Sequence, residues 1–133
     1  MLFPKKLKYK KIKKGKLKRY NYKCGDLKFG TIGLKSFNSG LITSKQIEAA
    51  RQTITRKLKK KGKLWISIFP NQPITKKPME VRMGKGKGNF SHWGFKISGG
   101  SIIFEVCGVP TKVAIRAFKT GGAKLPIKTI IFS

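Results

Sequence analysis

Charge constrains this chain before any pattern does. Its 133 residues hold 32 Lys and Arg against 4 Asp and Glu, a formal net charge of +28. Self-repulsion of that size opposes a compact state, so the basic residues must sit outside the core or in an extension. Ten of the fifteen positions 5–19 are basic: Lys5, Lys6, Lys8, Lys10, Lys11, Lys13, Lys14, Lys16, Lys18 and Arg19. Residues 1–23 have almost no apolar periodicity, whereas from Leu27 onward it is plentiful. The chain reads as a basic N-terminal extension, 1–23, ahead of a single α+β domain, 24–133, long enough for one modest core. An extension with this charge density and no apolar face is expected to be disordered in the free protein and to order on a polyanion.

The polyanion that fits is nucleic acid, because regularly spaced phosphates neutralise many lysines and release condensed counterions. Catalysis has little to work with. Asp26, Glu48, Glu80 and Glu105 stand singly, and no Asp, Glu, His or Cys cluster has metal-ligand spacing. A metal-dependent nuclease needs such carboxylates, and an RNA-modifying enzyme needs an acid–base pair or a cofactor fingerprint. The expectation is no catalytic residue, no metal and no cofactor. Cys24 and Cys107 read as two reduced thiols. No stretch is apolar enough to span a membrane, and Met1-Leu2-Phe3-Pro4 followed by lysines is no secretory signal. The arm also lacks the long amphipathic helix of a membrane-active protein.

In the compact part, Thr43 and Gln46 offer a capping box, and Ile47, Ala50, Ile54 and Leu58 form one stripe at helical spacing. They predict a helix over 44–61, stopped by Gly62, with Lys45, Arg56, Lys59 and Lys60 on the opposite side. In an ordinary protein that side would be a solvated surface; beside a charge of +28 it reads as a phosphate contact, joined by Arg51 and Lys63. Alternation predicts a strand over 64–69, ended by the turn residues Pro70-Asn71-Gln72-Pro73. Residues 93–97 and 101–106 are β-prone, and Ser98-Gly99-Gly100 between them signals a hairpin. Weaker strands are expected over 29–37 and 127–132. A second helix fits 111–123, with Pro110 near its start, an apolar face of Val113, Ala114, Ala117 and Phe118, and an end that Gly121-Gly122 should fray. Two helices on a mixed or antiparallel sheet make an α+β sandwich. Trp65 and Trp93 fall in strand patterns and are expected in the core, although either could stack on a base; His92 reads as a packing or surface residue.

The sharpest motif is Arg82-Met83-Gly84-Lys85-Gly86-Lys87-Gly88. Alternating glycine removes Cβ bulk, so backbone N–H groups can approach an anion, and Arg82, Lys85 and Lys87 gather charge around them. The spacing fits neither a P-loop nor the dinucleotide fingerprint. By spacing alone, an anion cradle and a plain flexible loop are equally good readings.

Several segments together resemble a known family. They are Gln46-Ile47-Glu48-Ala49-Ala50-Arg51, Gly62-Lys63-Leu64-Trp65-Ile66, Pro73-Ile74-Thr75 with Pro78, Glu80-Val81, the 82–88 run with Trp93 beyond it, and Ala123-Lys124-Leu125-Pro126-Ile127-Lys128-Thr129. In order and over nearly the whole chain, they are similar to the bacterial-type large-subunit ribosomal protein family numbered sixteen. The resemblance implies an α/β-hammerhead type of α+β sandwich that acts as a structural constituent of the large ribosomal subunit and not as a catalyst. It implies large-subunit rRNA and neighbouring large-subunit proteins as partners, no membrane insertion and no homo-oligomer. It also implies an N-terminal arm that runs into rRNA, and a loop at 82–88 that reaches towards A-site tRNA near the peptidyl-transferase centre. Ser67, Asn38-Ser39, Cys107 and Gly121-Gly122 depart from the family's usual residues. Of the 32 basic residues, 5 are Arg and the other 27 Lys. That bias suits AT-rich coding, and the chain begins at the family's own start with no transit peptide. A mitochondrial large subunit is the expected home, ahead of a plastid or an AT-rich bacterial cytoplasm. A free RNA-binding regulator or RNA chaperone would share the charge, without needing the Gly-Lys loop.

Overall fold

The computed structural model describes residues 2–6, 9, 11–17, 20–21 and 26–133. The elements run β1 (Ile32–Ser36), β2 (Gly40–Thr43), α1 (Ser44–Lys57), β3 (Lys63–Ile66), β4 (Gln72–Lys76), β5 (Asn89–Ile97), β6 (Ile102–Cys107), α2 (Thr111–Gly122) and β7 (Thr129–Phe132). Among the described residues the strands form two antiparallel sheets, in orders β3-β6-β1-β7 and β2-β5-β4. The α+β architecture is as expected, with two sheets in place of one.

The core lies between the helices and the sheets. Ile32, Leu34, Phe104 and Val106 come from the four-stranded sheet, Ile42 and Ile97 from the three-stranded one. Ile47, Ala50 and Ile54 come from α1, and Ala114, Ala117 and Phe118 from α2. Each large side chain fully buried in this way stabilises the fold by about 1.5–3 kcal/mol.

Helix α1 starts as its capping box dictates. The Thr43 hydroxyl accepts from the Gln46 N–H at 3.3 Å, and the Gln46 side chain accepts from the Thr43 N–H at 2.9 Å. It ends at Lys57, however, four residues short of the expected 61. Lys59 and Lys60 turn left-handed, at φ of 50° and 59°. The Lys59 N–H bonds the Arg56 carbonyl and the Lys60 N–H bonds the Thr55 carbonyl. This is a Schellman ending with Lys in the place usually held by Gly, which is why Gly62 misplaced the stop.

Helix α2 follows its expected range, but its glycines do not fray it. Gly121 and Gly122 are both buried. A Cβ on Gly121 would run into the Ile54 side chain of α1, and one on Gly122 would meet Thr129 Oγ1 at 2.5 Å. The two positions let α2 lie close against α1 and β7, and that contact outweighs the poor helix propensity of Gly.

Three other expectations change. The signal at 98–100 is no hairpin, because β5 and β6 belong to different sheets. Gly100, at φ 85°, turns the chain from one sheet to the other. Pro73 is not in a turn but paired opposite Trp93 in β4. That strand is an edge strand, where a missing N–H is tolerated. Trp65 and Trp93 are half-buried and outside the core cluster, each against an exposed phenylalanine.

Candidate nucleic-acid interface

The Gly-Lys run sits at the far end of a hairpin. Lys76 of β4 pairs with Asn89 of β5, so residues 77–88 form the connection. Positions 82–87 are exposed, and Met83 is 100% exposed. Gly84, Lys85 and Gly86 all have positive φ, at 101°, 50° and 84°. A Cβ at Gly84 or Gly86 would meet none of the described residues within 4 Å. These glycines therefore serve the left-handed backbone, and no packing among the described residues calls for them. Gly88 differs, since a Cβ there would lie 2.8 Å from the Lys76 backbone, at the base of the hairpin. Lys77 donates to the Gly84 carbonyl and ties the loop back on itself.

The arm adjoins this loop, a proximity that the sequence did not suggest. Lys11 Nζ donates to the Lys87 carbonyl at 3.1 Å, and Lys87 Nζ donates to the Ile12 carbonyl. Further along, Gln72 Nε2 reaches the Lys14 carbonyl at 3.5 Å, and Gly15 runs beside Lys96 Nζ. Residues 11–15 thus lie along the β4–β5 side of the molecule. Lys5, Lys6, Lys11, Lys13, Lys14 and Lys16 are exposed. Lys8, Lys10, Lys18, Arg19 and Cys24 lie outside the described residues. Cationic side chains that bond carbonyls here set lysines close together with few acids among them, a field that phosphates relieve.

The helix supplies a second basic group. Lys45, Arg56, Lys59, Lys60 and Lys63 are all exposed. They follow the outer side of α1 and its Schellman ending, beside the β6–α2 connection. There a Cβ on Gly62 would lie 2.5 Å from the Cys107 carbonyl. Arg51 differs from these. Its guanidinium holds Glu48 through Nε at 3.0–3.1 Å and an N–H at 2.5 Å. That bond raises the Arg51 pKa and lowers that of Glu48. The Arg51 charge is therefore already partly neutralised within the helix.

One structural feature beside these groups escaped the sequence reading. Glu105 is 1% exposed, in the middle of β6. Its Oε2 accepts the backbone N–H groups of Lys28, Phe29 and Gly30 at 3.1, 2.7 and 2.8 Å, and its Oε1 accepts the Ser67 hydroxyl at 3.2 Å. Burial pushes the carboxyl pKa up, but these donors outweigh it and hold it below the ordinary range. The carboxylate pins the segment that leads from the arm into the fold. A lone acid inside the apolar run Ile102-Ile103-Phe104-Glu105-Val106 was the available signal. Ser67, one of the departures noted in the sequence, is a partner of this carboxylate. His92 is half-buried beside the Ser91 hydroxyl.

Among the described residues no group of three His, Cys, Asp or Glu side chains could hold a metal, and no helix is long and apolar enough to cross a membrane. The sequence matches the family described as ribosomal protein L16p/L10e over residues 4–132. It is also 50% identical, over 130 residues, to the large ribosomal subunit protein uL16 of Pseudoalteromonas atlantica, covering 97% of this chain and 94% of that protein.

Proposed function

This chain belongs to the ribosomal protein L16p/L10e family, whose members are structural components and not enzymes, and on that premise we propose how it serves a large ribosomal subunit. It is a constituent of that subunit and binds its rRNA and neighbouring proteins. The arm and the exposed lysines of α1 and its ending contact rRNA phosphates, and the 82–88 loop extends towards the acceptor region of A-site tRNA, near the peptidyl-transferase centre. The observation that carries the reading is the junction of arm and loop. The arm is bonded, through the Lys11 side chain and the Ile12 carbonyl, to Lys87 of an exposed loop whose two central glycines have no described residue packed beside them. Such a loop presents backbone and mobile charge to a ligand that comes and goes, while phosphate contacts along the arm hold the protein in place.

The home we propose is a mitochondrial ribosome, on the lysine-rich composition. Half identity to a bacterial protein is compatible equally with a plastid or bacterial ribosome. Sedimentation of native extract tests the central claim. The tagged chain is expected to travel with large subunits and to leave them only in concentrated salt. Recovery at the top of the gradient, with RNA-free or small RNA particles, would favour a free RNA-binding regulator and refute the reading.

A further inference from the structure

The face of the four-stranded sheet turned away from the helices carries an aromatic pair, the exposed Phe29 on the half-buried Trp65. Leu34 faces α2, against Gly122, so its row belongs to the helix side. The alternate row runs Trp65, Glu105, Gly33 and Phe132, paired side by side across all four strands. The 27–30 segment crosses this face. Leu27 rests on Gly33, where a Cβ would lie 2.5 Å from its Cδ2, and Phe29 stacks on Trp65 with ring centroids 6.1 Å apart and planes 20° apart. Phe29 is nevertheless 62% exposed. More than half of the residue stays open, and its backbone is clamped to Glu105 at 2.7 Å. An exposed ring on a backbone held this firmly has already lost much of the freedom that binding would cost it.

The surroundings are cationic. Lys63 Nζ lies 5.2 Å from the Trp65 ring centroid, and Lys28 is exposed next to Phe29. A cleft of about 960 Å³ opens beside Phe29, with Lys16, Lys28 and Lys96 on its walls. Asp26 is the single acid there with a charge to spare, since that of Glu105 is engaged by four donors. A flat aromatic face rimmed by lysines matches an unpaired nucleotide, with its base on the ring and its phosphates on the ammonium groups. An apolar protein partner would leave those lysines unsatisfied.

We propose that Phe29, backed by Trp65, is a stacking platform for one unpaired base of RNA, with the flanking phosphates on Lys28 and the lysines of the adjoining cleft. This deepens the rRNA-binding reading and rests on it. It makes the site a reader of single-stranded RNA that adds a base contact to the phosphate contacts of the arm and of α1, which it adjoins through Lys16 and Lys63.

The test uses the full chain and two short single-stranded oligoribonucleotides of equal length and charge, one with bases and one abasic. Phe29→Leu is expected to weaken binding of the base-bearing oligonucleotide by about 5- to 100-fold. It should leave abasic binding and the salt slope unchanged. Phe29→Tyr should restore wild-type affinity. Phe29→Trp places a fluorophore at the platform, and its added emission should be quenched by the base-bearing oligonucleotide and not by the abasic one. Equal binding of the two oligonucleotides by the wild type, or equal quenching by both, would overturn the platform while leaving phosphate binding intact. Weak, salt-independent binding of both would instead count against the parent reading. Capture of a large-subunit protein that Phe29→Leu abolishes, with oligonucleotide binding unaltered, would make the patch a protein contact and refute the proposal.

Discussion

Replacing Glu105 with Ala should cost the fold more than any other single change at the surface-facing sheet. The carboxylate accepts three backbone N–H groups and one hydroxyl at 2.7–3.2 Å while 1% exposed. Hydrogen bonds to a charged group are worth about 1.5–3 kcal/mol each, but Lys28 and Phe29 are exposed and can partly exchange the carboxylate for water. Gly30 is half-buried and has less access to solvent. The expected loss is therefore about 3–5 kcal/mol, below the sum of four full bonds. With a urea slope of about 2 kcal/mol per molar, the midpoint falls by about 2 M. Glu105→Gln keeps one acceptor oxygen and should lose about half as much. The sign with pH follows from the depressed pKa. The contribution is complete above the unfolded carboxyl's ordinary 4.5 and disappears as pH falls through the lower folded value. Urea titrations followed by tryptophan emission at pH 7, repeated well below that folded value, provide the measurement. The gap between wild type and Glu105→Ala should narrow in acid. A loss below about 0.5 kcal/mol at pH 7, or an equal loss at both pH values, would refute a charge-assisted clamp.

Four further outcomes are expected. Lys59→Gly relieves a left-handed non-glycine residue and should raise stability by about 1 kcal/mol in the same titration. Gly121→Ala improves helix propensity by about 1 kcal/mol yet drives a methyl into Ile54, so a net destabilisation of about 1–2 kcal/mol is expected; a stabilised variant would contradict the close approach of α2 to α1. Replacing Arg56, Lys59 and Lys60 together should lower the salt slope of rRNA binding by roughly two to three, whereas weaker binding at an unchanged slope would remove them as phosphate contacts. Gly86→Val with Lys85→Ala and Lys87→Ala should leave subunit occupancy nearly intact and slow dipeptide formation on the occupied particles, and normal rates would mark the loop as passive. Restoring Lys87, which bonds the arm, separates an effect of loop shape from loss of that junction.

Chemistry and local pattern were legible along the chain where neighbours decide them. The capping box of Thr43 and Gln46, the apolar stripe of α1, the basic arm and the Gly-Lys loop depend on residue type at short spacing. Each was visible before any partner was known. The misreadings fall where a distant contact decides. Gly121 and Gly122 look like helix breakers until Ile54 and Thr129 occupy the space that their missing Cβ atoms leave. Gly99-Gly100 looks like a hairpin until its flanking strands join different sheets. Pro73 reads as a turn unless its strand is known to be an edge. Trp65 alternates like a core residue, and only the side of the sheet on which the helices pack leaves it half-covered.

The sequence by itself determined that this chain must meet a polyanion, because no folding arrangement removes a net charge of +28. It also determined the helix start and the family, which are carried by residues in a fixed order. The tertiary structure alone decided that Glu105 holds the root of the arm from 75 to 77 residues away, that Lys11 and Lys87 join arm to loop across 76, and that Phe29 lies flat on Trp65. The physical reason is the same in each case. These contacts join residues far apart in the chain, and their energy depends on geometry that local spacing does not contain.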